Sequence, residues 1–251
     1  MSLDIDEIVE RAISESKNRQ ELWRKLIVEL DCKSLCEIGV WKGEFAQVLL
    51  ENVESIKCYT LIDPWQNLAN WNKPANKSDI EFESIRNEAL GRISAFEDKI
   101  IEIRDTTKNA RKKIEDESLD FVYIDGDHTL RGITLDLLSI LPKVKRLGYI
   151  GGDDFTKTIW QHGDEFSPTE VFPFALYFAE ALDLKIYTLP YQQFLILNDP
   201  SGFCVKDYGN YASLTPAQIY SKPHGSFKET LTRKLPIGVK NLLKTVLLRV
   251  R

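Results

Sequence analysis

Hydrophobic positions change period repeatedly along this chain, and each change marks the edge of an element. Ile5, Ile8, Val9, Ala12 and Ile13 recur at helical spacing, as do Leu22, Leu26, Ile27 and Leu30, so residues 5–30 predict two helices. Over residues 34–40 a short apolar run ending near glycine takes over, followed by a helical stretch at 44–51. Strand-like runs at 58–62, 100–103, 119–124 and 148–151 then alternate with helical runs at 79–96, 107–114, 130–141 and 170–182. Two strands in quick succession, 184–187 and 193–197, close the pattern.

Alternating strands and helices build βαβ units, hence a mostly parallel α/β sheet wound on both faces. The closing pair, joined through Leu189-Pro190-Tyr191, predicts an antiparallel addition at one edge. The expected organisation is an N-terminal helical segment (1–32), a central domain (33–205) and a C-terminal appendage (206–251). Residues 65–78, with Pro74 and four asparagines, read as a surface loop.

Composition removes some functions and leaves others. A net charge of −5 opposes phosphate recognition by the whole domain, so nucleic acid is not an expected partner. Cys32, Cys36, Cys58 and Cys204 lack C-x-x-C metal spacing. The acidic start, Asp4-Ile5-Asp6, is unlike a secretory signal, and no apolar run is long enough to span a bilayer, so the expected location is cytoplasmic.

Candidate chemistry gathers where predicted strands end. Glu37 lies in the first strand, Asp63 follows the second and Asp105 the third. Gly39 permits close backbone approach and Gly43 a tight entry into the next helix. A carboxylate such as Asp63 can accept hydrogen bonds from both hydroxyls of a ribose. A dinucleotide site would want G-x-G-x-x-G to meet a pyrophosphate; here a third glycine is missing and Glu37 would repel the phosphates, while suiting an ammonium. Asp125 and Asp127 follow the fourth strand, Asp153 and Asp154 the fifth. Their convergence would concentrate negative charge unless a cation offset it.

The runs Glu37-Ile38-Gly39-x-x-x-Gly43, Asp63-Pro64-Trp65, Tyr123-Ile124-Asp125-Gly126-Asp127-His128 and Gly151-Gly152-Asp153-Asp154-Phe155, in this order, resemble the class I S-adenosylmethionine-dependent methyltransferases. The resemblance is nearest to the branch that O-methylates bacterial sugars and natural products, and it extends over residues 34–197. It implies a Rossmann-like, seven-stranded sheet. It also implies that Glu37, Gly39 and Gly43 line the methionine end of the cofactor, that Asp63 holds the ribose, and that Asp105 and Thr106 lie near adenine. Asp125 would border the cofactor, and Trp65 would wall the ribose or anchor its loop. By the same resemblance Asp125, Asp153 and Asp154 would hold Mg²⁺, whose role would be to lower the pKa of an acceptor hydroxyl. His128 stands where catechol-type relatives carry a catalytic lysine; a histidine is a suitable base, with Asp127 as its rival. Asp127 could equally cap the helix that follows. His162 is a candidate acceptor contact in the loop after the fifth strand.

From Lys228 onward the sign reverses, and Leu235, Val239, Leu242, Leu243, Val246, Leu247 and Val250 recur near helical spacing among lysines and arginines. Such a basic amphipathic tail fits an anionic membrane surface, its own domain or a homo-oligomer partner. The expected activity is methyl transfer to a small hydroxylated acceptor, a sugar or glycosylated metabolite. The alternatives are an NAD-binding oxidoreductase, and a noncatalytic cofactor-binding or scaffold protein.

Overall fold

A computed structural model describes residues 4–163, 165–212 and 214–221; the basic tail falls outside them. In chain order the elements are α1 (Ile5–Ser14), α2 (Arg19–Glu29), β1 (Ser34–Ile38), α3 (Glu44–Asn52), β2 (Cys58–Ile62), α4 (Asp79–Arg92), β3 (Ile100–Ile103), α5 (Thr107–Ala110), β4 (Leu119–Ile124), α6 (Leu130–Ile140), β5 (Val144–Gly152), α7 (Val171–Ala181), β6 (Lys185–Leu189), β7 (Gln193–Leu197), β8 (Cys204–Asp207) and α8 (Pro216–Ser221).

The strands form one sheet in the order β3-β2-β1-β4-β5-β7-β6-β8. Strands β1 to β5 are parallel, and β7 runs antiparallel between β5 and β6. The expected antiparallel addition is therefore present, and an eighth strand extends it. β8 pairs parallel with β6 and crosses the 205/206 position where the sequence pattern ends the sheet. It carries no signal of its own, being four residues long with Val205 exposed. β5 is longer than residues 148–151 because its polar first half, with Leu147 in the left-handed region, still continues the strand.

β1 lies between β2 and β4, so its crossover helices leave in opposite directions and open a cleft at the carboxyl ends of β1 and β4. The strands are apolar on both faces because helices cover both. On one face α1 and α2 pack into the same core as α3 and α4; on the other lie α6 and α7. Trp23 of α2 is fully buried, 5.2 Å from the Phe121 ring and 5.4 Å from that of Tyr123. Gly151 makes room for it, since a Cβ there would stand 2.2 Å from the Trp23 ring. The N-terminal segment is thus built into the sheet's core, which places α2's first residue at the cleft.

Local capping fixes the helix starts. Ser78 and Glu81 form a capping box for α4. Thr129 caps α6, its side chain accepting from the Gly132 amide at 3.1 Å. The capping role weighed for Asp127 therefore belongs to Thr129. Among the described residues no helix is long and apolar enough to cross a membrane.

Candidate active site

A cavity of about 530 Å³ opens at the carboxyl ends of β1, β2, β3, β4 and β5, within the range of small-molecule sites. Its first half is built by the β1–α3 turn. Gly39 has φ +85°, and a Cβ there would lie 2.1 Å from the Asp125 carbonyl oxygen, so β1 and β4 can approach this closely only at glycine. Glu37 is buried among apolar strands, where the Tyr59 hydroxyl donates to its Oε2 at 2.8 Å. Burial pushes its carboxyl well above the usual range, only partly opposed by that hydrogen bond. The site thus offers a carboxylate whose charge awaits a cation.

Asp63 accepts the Trp41 amide at 3.0 Å on one oxygen and the Trp65 amide at 2.8 Å on the other. Burial raises its pKa against these bonds, and each oxygen keeps lone-pair capacity for a hydroxyl. Asp105 and Thr106 line the same cavity, with the Asp105 carboxylate steadied by the Thr106 amide and the Asn109 side chain at 2.8 and 2.9 Å.

Two expected cofactor residues stand elsewhere. Trp65 is fully buried and does not line the cavity; its Nε1 donates to the Trp41 carbonyl at 2.9 Å, making it a loop anchor. Gly43, at φ +72°, starts α3 against Ala89 of α4 behind the cavity wall. The aromatic lining comes instead from Trp41, Phe45, Trp71 and Phe82.

The second half gathers the acids after β4 and β5. Asp154 Oδ2 pairs closely with His128 Nδ1, and His128 Nε2 faces Asp125 Oδ1 at 3.3 Å. Asp154 also accepts from Gln161 Nε2. Burial opposes a charge on His128, yet the two carboxylates outweigh it and push its pKa up to about 10. The reciprocal effect holds Asp154 at about 2 despite burial. An imidazolium so held has no lone pair to accept a proton at neutral pH, which corrects the assignment of His128 as base.

Asp153 departs from the expected metal set. One oxygen pairs with Arg19 of α2, the other accepts from Gln193 Nε2 and the Asp154 amide, and the residue does not line the cavity. The donors that do converge are Asp125, His128 and Asp154, each offering an atom within 4.8 Å of the others. Asp127 remains available: its Oδ1 accepts Trp71 Nε1 and the Thr129 amide, both at 3.0 Å, while Oδ2 makes no hydrogen bond among the described residues.

Residues that periodicity could not flag complete the wall. Arg19, Lys73, Asp136 and Gln161 line it, as does His162, the loop histidine singled out above. Arg19 reaches it because α2 packs on the sheet, and Lys73 because Asn72 ties its loop to the 165–167 backbone. His224 lies outside the described residues.

Residues 36–155, just under half of the chain, match the family model described as a methyltransferase domain. No curated protein matches the sequence as a relative. A Staphylococcus aureus protein named as a caffeoyl-CoA O-methyltransferase is similar in structure, with 15% identity, 78% of this chain and 91% of that one covered, and a TM-score of 0.56. So is a Bacillus cereus O-methyltransferase in complex with S-adenosylhomocysteine, with 14% identity, coverages of 77% and 89%, and a TM-score of 0.53. The third, TomG of Streptomyces achromogenes, an O-methyltransferase of tomaymycin synthesis in complex with S-adenosylmethionine, gives 14%, 76%, 88% and 0.51. At these identities the three structures show a shared fold.

Proposed function

We propose that this chain is a class I S-adenosylmethionine-dependent methyltransferase and that it moves the methyl group to an oxygen of a small hydroxylated acceptor of the sugar or glycosylated-metabolite class; the match of residues 36–155 to a methyltransferase domain supports this. What carries the reading is the polarity of one cavity. Glu37, Gly39 and Asp63 line the part at β1 and β2, and Asp125, Asp127, His128 and Asp154 the part at β4 and β5. The absence of a phosphate cradle at Gly39 and Glu37 disfavours the NAD-binding alternative.

The sulfonium is already an activated electrophile, so the protein's task is to align and deprotonate a hydroxyl. In the proposed step the acceptor oxygen attacks the methyl carbon, the carbon–sulfur bond breaks with its electron pair going to sulfur, and the hydroxyl proton passes to Asp127 Oδ2. Trp71 and the Thr129 amide hold that carboxylate in place through Oδ1. His128 orients Asp125 and Asp154 and offsets their charge.

The same trio suits a divalent cation, which would displace the proton on the buried Nε2 of His128; that nitrogen has no hydrogen-bond partner among the described residues and lies beside two carboxylates. A nitrogen donor favours manganese, iron or zinc over the magnesium expected from an all-carboxylate set. Such an ion, when bound, would polarise the acceptor hydroxyl.

Transfer of tritiated methyl to a panel of diols, sugars and glycosides, with methyl position read by mass spectrometry, tests the reaction. Oxygen-linked methyl in the product is expected, and methyl on nitrogen or carbon overturns the reading. Repeating the assay in chelator and after adding back Mg²⁺, Mn²⁺ or Zn²⁺ tests the ion; full activity in chelator removes it.

A further inference from the structure

Lys73 is a cation that the transfer step above does not use. It is 5% exposed and lines the acceptor half of the cavity. Its Nζ donates to Thr169 Oγ1 at 3.0 Å and to the Pro168 carbonyl at 3.2 Å, both uncharged, and no carboxylate among the described residues lies within ion-pair distance. An ammonium has three N–H donors, so one remains.

Three carboxylates reach Lys73 through space, Asp127, Asp154 and Glu170, none of them within ion-pair distance and each held by other partners through at least one oxygen. Asp127 holds Trp71 and the Thr129 amide, Asp154 holds His128 and Gln161, and Glu170 accepts the Tyr220 hydroxyl at 2.6 Å. His162, in the same wall, has its pKa lowered by burial first and then by the Lys73 charge. Burial likewise pulls the Lys73 pKa down.

The ammonium is also held in position. Asn72 donates to the Glu165 carbonyl at 2.7 Å and accepts from the Ser167 amide at 3.0 Å, so loop backbone fixes the residue before it. A desolvated cation pinned this way, without a counterion of its own among the described residues, is unfavourable alone and favourable beside an anion.

We propose that Lys73, with His162 beside it, receives an anionic group of the acceptor, a carboxylate or phosphate, so that the methylated hydroxyl belongs to an acidic compound. This rests on the acceptor half as assigned above. The anion's position is distinct from the sulfur and ribose contacts at Glu37 and Asp63, and it sets specificity rather than chemistry.

Calorimetry on the full chain saturated with S-adenosylhomocysteine tests this, with glucose, glucuronate, glucose 6-phosphate and inorganic phosphate as titrants. At least one anion-bearing sugar is expected to bind about tenfold to a hundredfold more tightly than glucose, the range of a charge-assisted hydrogen bond. Lys73→Met removes that preference, Lys73→Arg retains most of it, and S-adenosylhomocysteine affinity stays the same in all three proteins. Equal binding of neutral and charged sugars, no saturation by any anion, or an undiminished preference in Lys73→Met overturns the proposal. Loss of S-adenosylhomocysteine binding in both variants also overturns it, since Lys73 would then be a strut for its loop. Because binding is read without turnover, a failure of the oxygen-transfer reading appears separately, as methyl on another atom while the anion preference persists.

Discussion

Asp153 and Asp154 adjoin in the chain, yet their carboxylates serve opposite sides of the same wall. Asp154, at φ +55°, pairs with His128 inside the cavity. Asp153 pairs with Arg19 and Gln193 and lies outside the cavity lining. Asp154→Asn is therefore expected to lower kcat by at least about tenfold with cofactor affinity kept, an effect of one charge-assisted bond. Asp153→Asn should chiefly lower thermal stability. Steady-state kinetics and melting curves of the two variants separate these outcomes; equal kinetic losses would contradict the division.

The His128–Asp154 pair also sets a pH window. His128 is raised to about 10, so its contribution to stability is complete below the unfolded value of about 6.5 and is lost as pH rises through about 10. Asp154 is lowered to about 2, so its contribution is present above about 3.8 and lost as pH falls through about 2. In chelator, the nitrogen NMR shifts of His128 should show no titration between pH 6 and 8. A midpoint near 6.5 would refute the double pairing.

Glu37 predicts proton release. Burial raises its pKa in the free protein, and a cationic ligand beside it would restore the carboxylate. Binding enthalpy for S-adenosylmethionine should therefore vary with the ionisation enthalpy of the buffer, in the sense of a proton leaving the complex. Glu37→Gln should weaken binding by about tenfold and abolish the variation.

At Gly39 geometry alone decides. Alanine would place a methyl 2.1 Å from a backbone oxygen that cannot swing away, at a φ costing about 1–2 kcal/mol even without the overlap. Gly39→Ala should lose S-adenosylhomocysteine binding and melt several degrees lower. Retained binding would mean that β1 and β4 can separate.

Asp136, buried in α6 and facing Thr107, has its pKa raised to about 7, chiefly by burial. Its raised value means that stability is present below about 3.8 and declines as pH rises through about 7. Asp136→Asn should accordingly gain stability relative to the parent between pH 5 and 8. Urea midpoints that run parallel over this range would show that the group does not titrate there.

Much of this was legible in local pattern. The period changes at 34, 58 and 119 located β1, β2 and β4, because a strand buried on both faces must be apolar throughout. Acids at the carboxyl ends of those strands and of β3 had to sit at the cleft, and Glu37, Asp63, Asp105, Asp125 and Asp127 do. β8 was not legible: its place comes from pairing with β6 rather than from its own four residues.

What the chain determined by itself, then, was the order of strands and helices and the acids that end them, since both depend on neighbours a few residues apart. Which acids turn inward was a tertiary decision. Arg19 draws Asp153 away only because Trp23 seats α2 on the sheet, and Gln193 holds it only because β7 lies beside β5. Lys73 enters the wall only because Asn72 meets residues more than ninety positions away. A charge buried at a cleft takes its protonation state from the partners that the fold brings to it, and those partners are far away in sequence.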